Sequence, residues 1–150
     1  MAAGAAETAQ AEDEGEITFR GMAHPWLCDT MGHLNTRHYA AMFDDASFTF
    51  LHIAGGDVEA LPGPRLGWAD VRHEIDFLHE VPMGTLVTVR TRLVKLGGKS
   101  MTYRHVMRDL PQGEVRATMQ VVTVLFDLDA RKAVPIEGEM RARAEALLPG

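Results

Sequence analysis

One cysteine, Cys28, occurs in the 150 residues, so no disulfide can close within the chain. That excludes a disulfide-stapled scaffold and suits a reducing compartment. Basic residues are missing from the N-terminal stretch: none precedes Arg20, and Met1 to Glu16 is Ala-rich and then acidic. The stretch has neither the basic start nor the apolar middle of a secretory signal. No apolar run approaches the length of about 18 residues that a membrane span needs. The expected location is the cytoplasm. The 15 Lys and Arg fall short of the 21 Asp and Glu, leaving a net charge of −6. A nucleic-acid backbone or an anionic membrane is therefore not the expected partner. Beyond Met1, large apolar residues are absent from 1–15 (MAAGAAETAQAEDEG), which reads as a mobile tail ahead of one domain over 16–150.

What is present is an ordinary globular mixture, 46% apolar and 24% charged. At this length a single core can bury roughly two-thirds of the unfolded surface, so neither metal nor disulfide is required for stability. Ile17 to Met22 reads as a first strand, closed by His24-Pro25. From Thr36 the period is helical: Tyr39, Met42, Phe43, Ala46, Phe50, Ile53 and Ala54 share a face, and Phe48 and Leu51 widen it. The spacing predicts a largely buried helix, capped by Asn35 or Thr36 and ended by Gly55-Gly56. After Pro62-Gly63-Pro64 the period becomes two. Val71, His73, Ile75 and Phe77 form one face of a second strand, and Val87, Val89, Thr91 and Leu93 one face of a third. Gly97-Gly98 predicts a hairpin turn. Tyr103, His105 and Met107 mark the fourth strand, Val115 to Phe126 a long fifth, and Lys132 to Ile136 a short sixth. Glu139 to Leu148 reads as a closing helix. Short connections imply an antiparallel sheet, which covers a single long apolar helix best by curling around it, an α+β solution.

The chemistry is concentrated in Asp29 to Tyr39, D-T-M-G-H-L-N-T-R-H-Y. An acid, a glycine, a histidine and an asparagine stand just before a buried helix, whose first turn offers free N–H groups and a partial positive charge. Such a terminus can hold a carbonyl oxygen as it becomes an oxyanion, while a nearby carboxylate attacks the carbon or activates water. That pairing suits acyl transfer.

The pattern D-x-x-G-H-[hydrophobic]-N-x-x-x-Y resembles the signature of hotdog-fold thioesterases related to 4-hydroxybenzoyl-CoA thioesterase. The likeness continues through Phe77-Leu78, Val81-Pro82-Met83-Gly84, Leu96-Gly97-Gly98-Lys99-Ser100 and Ala117 to Asp127, covering about residues 17–137. It implies a hotdog fold, a curved antiparallel sheet wrapped around one long helix. It also implies hydrolysis of an acyl-CoA thioester without metal or redox cofactor, and a homodimer or homotetramer whose sites lie between subunits. Asp29 falls at the family's loop carboxylate, and the helix-start N–H that polarises the carbonyl falls near Thr36. Plant acyl carrier protein thioesterases are similar too: Asp29 and His33 match their Asp and His, whereas Met31 stands where they carry Asn. In another hotdog branch the acid lies on the helix, which makes Asp44 and Asp45 rivals to Asp29.

Several residues admit a plainer role. His33 is either a catalytic partner or a prop for the loop, and Asn35 either a catalyst or a helix cap. Gly32 meets a backbone requirement. Cys28 is a nucleophile or, more commonly for such a residue, a small buried side chain. His73 and His79, or His33 and His38, do not assemble a metal site. Lys99, Ser100, Arg104 and Arg108, with Arg65, either meet CoA phosphates or form a solvated face. Two alternatives to hydrolysis remain: a non-catalytic acyl-CoA-binding hotdog module, and a hotdog dehydratase acting on 3-hydroxyacyl thioesters.

Overall fold

The computed structural model describes residues 15–150. The tail expected over 1–15 lies outside the described residues except for Gly15, whose carbonyl accepts a hydrogen bond from Arg90 at 3.0 Å. Six strands follow in chain order: β1 (Glu16–Met22), β2 (Leu66–Phe77), β3 (Leu86–Leu96), β4 (Ser100–Leu110), β5 (Val115–Asp127) and β6 (Lys132–Ala133). The long helix α1 (Thr36–Gly55) precedes β2, and a short helix α2 (Gly138–Glu145) closes the chain. All strand pairs are antiparallel, in the order β1-β3-β4-β5-β2, with β6 on β5. This is the curled sheet and long helix of the hotdog fold.

The inner faces of β3, β4 and β5 form the core floor. Val89, Leu93, Tyr103, Met107, Met119 and Val121 all have 0% exposure. α1 lies over the β1–β3 side of this floor and is backed by α2, burying Phe43, Ala46, Phe50 and Ala54. Apolar burial of this kind contributes about 1.5–3 kcal/mol per large side chain. One polar chain crosses the floor. Thr18 and Thr91 hydroxyls lie 2.7 Å apart, Thr91 meets His105 Nδ1 at 2.6 Å, and His105 Nε2 meets Ser47 of α1 at 2.8 Å. Burial, and secondarily His73, pushes the His105 imidazole down to about 3. It is therefore neutral and accepts at one nitrogen while donating at the other.

Three elements differ from the sequence expectation. β2 begins at Leu66, five residues before Val71, and its register shifts between Asp70 and Arg72. Val71 is the extra residue of that bulge, so it leaves the face it was expected to share with His73, Ile75 and Phe77. The inner face instead runs Trp68, Asp70, His73, Ile75, opposite Leu125, Thr123, Val121 and Met119. β6 is only two residues long, because Pro135 has no N–H and Ile136 donates instead to Gly98 at 2.8 Å. α2 stops at Glu145, where Leu147 and Leu148 tighten into three-residue turns onto Ala144 and Glu145.

Candidate active site

The segment before α1 is a tight hairpin. Cys28 and Leu34 form a bridge, the Asp29 N–H donates to the His33 carbonyl at 3.0 Å, and the Gly32 N–H donates back to the Asp29 carbonyl at 3.0 Å. Gly32 closes the turn at φ 79, a conformation that side chains disfavour. Leu34 donates to Val81 at 2.8 Å and Met83 to Gly32 at 3.0 Å, so the hairpin is stitched to the chain that leaves β2. The half-buried Asp29 carboxylate accepts the Met31 N–H on Oδ1 at 2.9 Å. Its other oxygen has no partner among the described residues. Asn35 caps α1, its side chain accepting the Arg37 N–H at 3.2 Å. The N–H of Thr36, first residue of α1, has no hydrogen-bond partner among the described residues.

A cleft of about 260 Å³ opens at this point, lined among others by Asp29, His33, Thr36, Tyr39, Phe77 and Glu80. His33 Nε2 lies 3.2 Å from the Glu80 carboxylate, while its Nδ1 is buried without a partner. Glu80 is held from behind: Arg116 donates to its carbonyl at 2.6 Å and to the Asp109 carboxylate at 2.6 Å. Burial pushes the Asp109 carboxyl up, but the Arg116 hydrogen bond and charge and the Glu114 and Gly113 N–H groups outweigh it. The net shift is downward. Tyr39 packs edge-on against Phe77, with centroids 5.2 Å apart. Burial raises its phenol pKa, and Glu80 and Asp29 add to the shift, so Tyr39 is a protonated donor at neutral pH. Geometrically the cleft offers a carboxylate oxygen, a free helix-start N–H and a hydroxyl around one small volume.

Of the residues singled out in the sequence, the fold brings Asp29, His33 and Thr36 together. Asn35 serves as the helix cap. Lys99 and Ser100 lie at the opposite end of the sheet. Ser100 pairs with Val124, whereas the cleft sits where Leu78 and His79 donate to Arg116. Eight residues of β5 separate the two, on the order of 27 Å. Asp44 lines a second cavity with Ser47, Phe48, Trp68 and Asp70, and Asp45 is exposed. The Cys28 thiol donates to the His24 carbonyl at 3.4 Å. Sequence reasoning missed Glu80 and Arg116, which sit outside the motif and join the site only through tertiary contacts. Among the described residues no three His, Cys, Asp or Glu side chains converge as a metal site, and no helix is long and apolar enough to cross a membrane.

Comparison with known proteins agrees with this architecture. Residues 23–144 match the model of the thioesterase-like superfamily. The chain is 28% identical over 130 residues to the betainyl-CoA thioesterase of Pseudomonas aeruginosa, covering 87% of this chain and 82% of that one. It is 25% identical over 120 residues to the long-chain acyl-CoA thioesterase FadM of Escherichia coli, covering 80% and 90%. The fold superimposes on the Staphylococcus aureus protein SAV2348, solved in complex with CoA, with a TM-score of 0.78 at 14% identity over 91% of this chain and 88% of that one. With its motif loop, its curled sheet and the family match over most of its length, the chain belongs to the thioesterase-like superfamily.

Proposed function

We propose that the protein hydrolyses an acyl-CoA thioester to free acid and CoA, with Asp29 carrying the chemistry. The observation that supports this most is the unpartnered Asp29 oxygen in the same cleft as the unpartnered Thr36 N–H. The Thr36 N–H would hold the thioester oxygen as charge develops on it. Asp29 acts in one of two ways. As a general base it takes a proton from water, whose oxygen attacks the carbonyl carbon; the C–S bond breaks and the CoA thiolate leaves, to be protonated. As a nucleophile it displaces the thiolate itself, and water then cleaves the resulting anhydride. His33, tethered to Glu80, fixes the loop at the rim of the cleft; Asn35 contributes by capping the helix that carries Thr36. The two named relatives hydrolyse acyl-CoA thioesters of quite different acyl groups, which agrees with the reaction and leaves the acyl group to the pocket.

The working unit of the proposal is a homodimer, alone or within a homotetramer. Among the described residues β2 pairs only with β5, which leaves its other edge open over 12 residues, with Val71 62% exposed at its middle. An open edge of that length pairs readily with a second copy. Antiparallel pairing about the strand's midpoint sets Asp70 opposite His73 in both directions, opposite charges when His73 is protonated. It also brings the Phe77 end of one copy, beside Asp29, alongside the Leu66 end of the other, and carries the Lys99-Ser100 turn of the second copy toward the first copy's cleft to meet CoA. The setting is the cytoplasm, with no metal, nucleic acid or membrane taking part.

Thiol release from a panel of acyl-CoAs tests the reading. The hydrolase frees CoA; a dehydratase changes 3-hydroxyacyl-CoA without freeing thiol; a binding module does neither. Light scattering gives at least twice the 16.5 kDa chain mass at micromolar concentration, and a monomer mass contradicts the shared site.

A further inference from the structure

The reaction proposed above leaves one polar group of the cleft unused, the Tyr39 hydroxyl. A thioester oxygen that takes on charge is held by converging donors, and the Thr36 N–H supplies one. Neighbouring N–H groups are already spent. Met31 donates to Asp29 at 2.9 Å, Leu34 to Val81 at 2.8 Å, and Leu78 and His79 to Arg116 at 2.9 and 3.1 Å. None of these four is free to turn toward a substrate.

Tyr39 stands three residues beyond Thr36 on α1. Helical side chains lean toward the N-terminus, so its ring lies over the turn that Thr36 begins. It is 5% exposed, yet it lines the cleft with Asp29, Thr36 and Phe77. Edge-on contact with Phe77, centroids 5.2 Å and planes 87° apart, steadies the ring against the opposite wall. The hydroxyl is its one polar group, and the Asp29 and Glu80 carboxylates, both at the cleft, act on it electrostatically. A hydrogen bond from the Val81 backbone arrives at the phenol oxygen, which leaves the hydroxyl proton for an acceptor. Among the described residues no acceptor takes it.

We propose that the Tyr39 hydroxyl is a catalytic residue, the second donor to the thioester oxygen beside the Thr36 N–H. The proposal rests on the hydrolase reading. When water, losing a proton to Asp29, adds to the carbonyl carbon, the C=O electron pair moves onto oxygen. The Thr36 N–H and the Tyr39 O–H both hydrogen-bond that oxygen. The carbonyl then reforms, the C–S bond breaks and the thiolate leaves. Direct attack by Asp29 puts the same charge on the same oxygen. Tyr39 keeps its proton throughout, as a phenol held above its ordinary range does at neutral pH. Its bond strengthens as charge develops, so it acts on turnover more than on binding.

Tyr39→Phe tests this, because it removes the hydroxyl and keeps the ring against Phe77. On the best acyl-CoA of the panel kcat should fall about 10²-fold or more. KM should stay within about threefold, and the pH profile of the residual activity should not move. A role in the fold alone lowers the melting temperature instead, and a kcat within about threefold of the parent overturns the proposal. Loss of one limb of the pH profile would make Tyr39 a proton carrier and overturns it as well. If the parent protein frees no thiol from any acyl-CoA, the hydrolase reading has failed on its own, and calorimetry with a ketone analogue, CH2 replacing the thioester sulfur, decides the donor. Binding about two- to tenfold weaker in Tyr39→Phe, the worth of one neutral hydrogen bond, upholds it. Equal affinity, or no binding to the parent, overturns it.

Discussion

α1 turns two unlike sides to its surroundings. Toward the sheet it presents Phe43, Ala46, Phe50 and Ala54, all at 0–1% exposure, and toward β2 it presents Asp44, Phe48 and His52 to an open groove. The first side is closed by apolar packing and a single polar chain. The second is lined by the Asp44, Asp57, Glu59 and Asp70 carboxylates and the Phe48 and Trp68 rings, groups that raise the cost of closure unless a ligand or a second copy arrives. The first side holds the fold together; the second stands open. Substitutions of similar size should therefore act on different observables according to the side they touch.

The largest stability effect belongs to the closed side. Phe43→Ala removes a fully buried ring stacked near His105 and should cost about 3–5 kcal/mol in urea unfolding. Next comes acid. His105 is neutral in the fold down to about pH 3, whereas in the unfolded chain it takes a proton near its ordinary value of about 6.5. Below that value the unfolded state binds more protons, so stability is full above pH 6.5 and declines as pH falls toward 3. His105→Gln should flatten the slope at the upper end of that window. Asp109, held below its ordinary value, works in the same direction at lower pH: its contribution is present above the carboxylate range and is lost as pH falls through its folded pKa. Ser47→Ala strips His105 Nε2 of its partner and should cost about 1–3 kcal/mol. Asp45→Asn, on an exposed turn of the same helix, should stay within about 0.5 kcal/mol.

The difference between the sides also governs what could be read from the sequence. The closed side follows period: Tyr39, Phe43, Ala46 and Phe50 recur as a helix, Val89, Thr91 and Leu93 alternate as a strand, and both stand as expected in the structure. The open side breaks period. The bulge at Val71 shifts the parity of β2, so Trp68 and Asp70, which line the larger cavity, fall outside any alternation read forward from Val71. The Asp29–His33–Thr36 cleft was legible because its members lie within eight residues of each other. Glu80 and Arg116 were not, since they reach it through contacts spanning 36 residues or more. Lys99 and Ser100 carry suitable chemistry at a recognisable turn, but antiparallel strands send that turn to the far end of the sheet from their own Asp29.

The most direct test of the account is the kcat of Asp29→Asn beside Asp44→Asn and Asp45→Asn, on the best acyl-CoA of the panel. Asn keeps the shape of Asp29 and its acceptor for the Met31 N–H, so melting temperature and oligomer mass should hold. It is neutral and far less nucleophilic, so kcat should fall roughly 10²- to 10⁴-fold while KM moves less. Asp45→Asn should turn over normally. A near-normal kcat for Asp29→Asn, with collapse of either helix variant, would move the catalytic acid onto α1 and contradict the account.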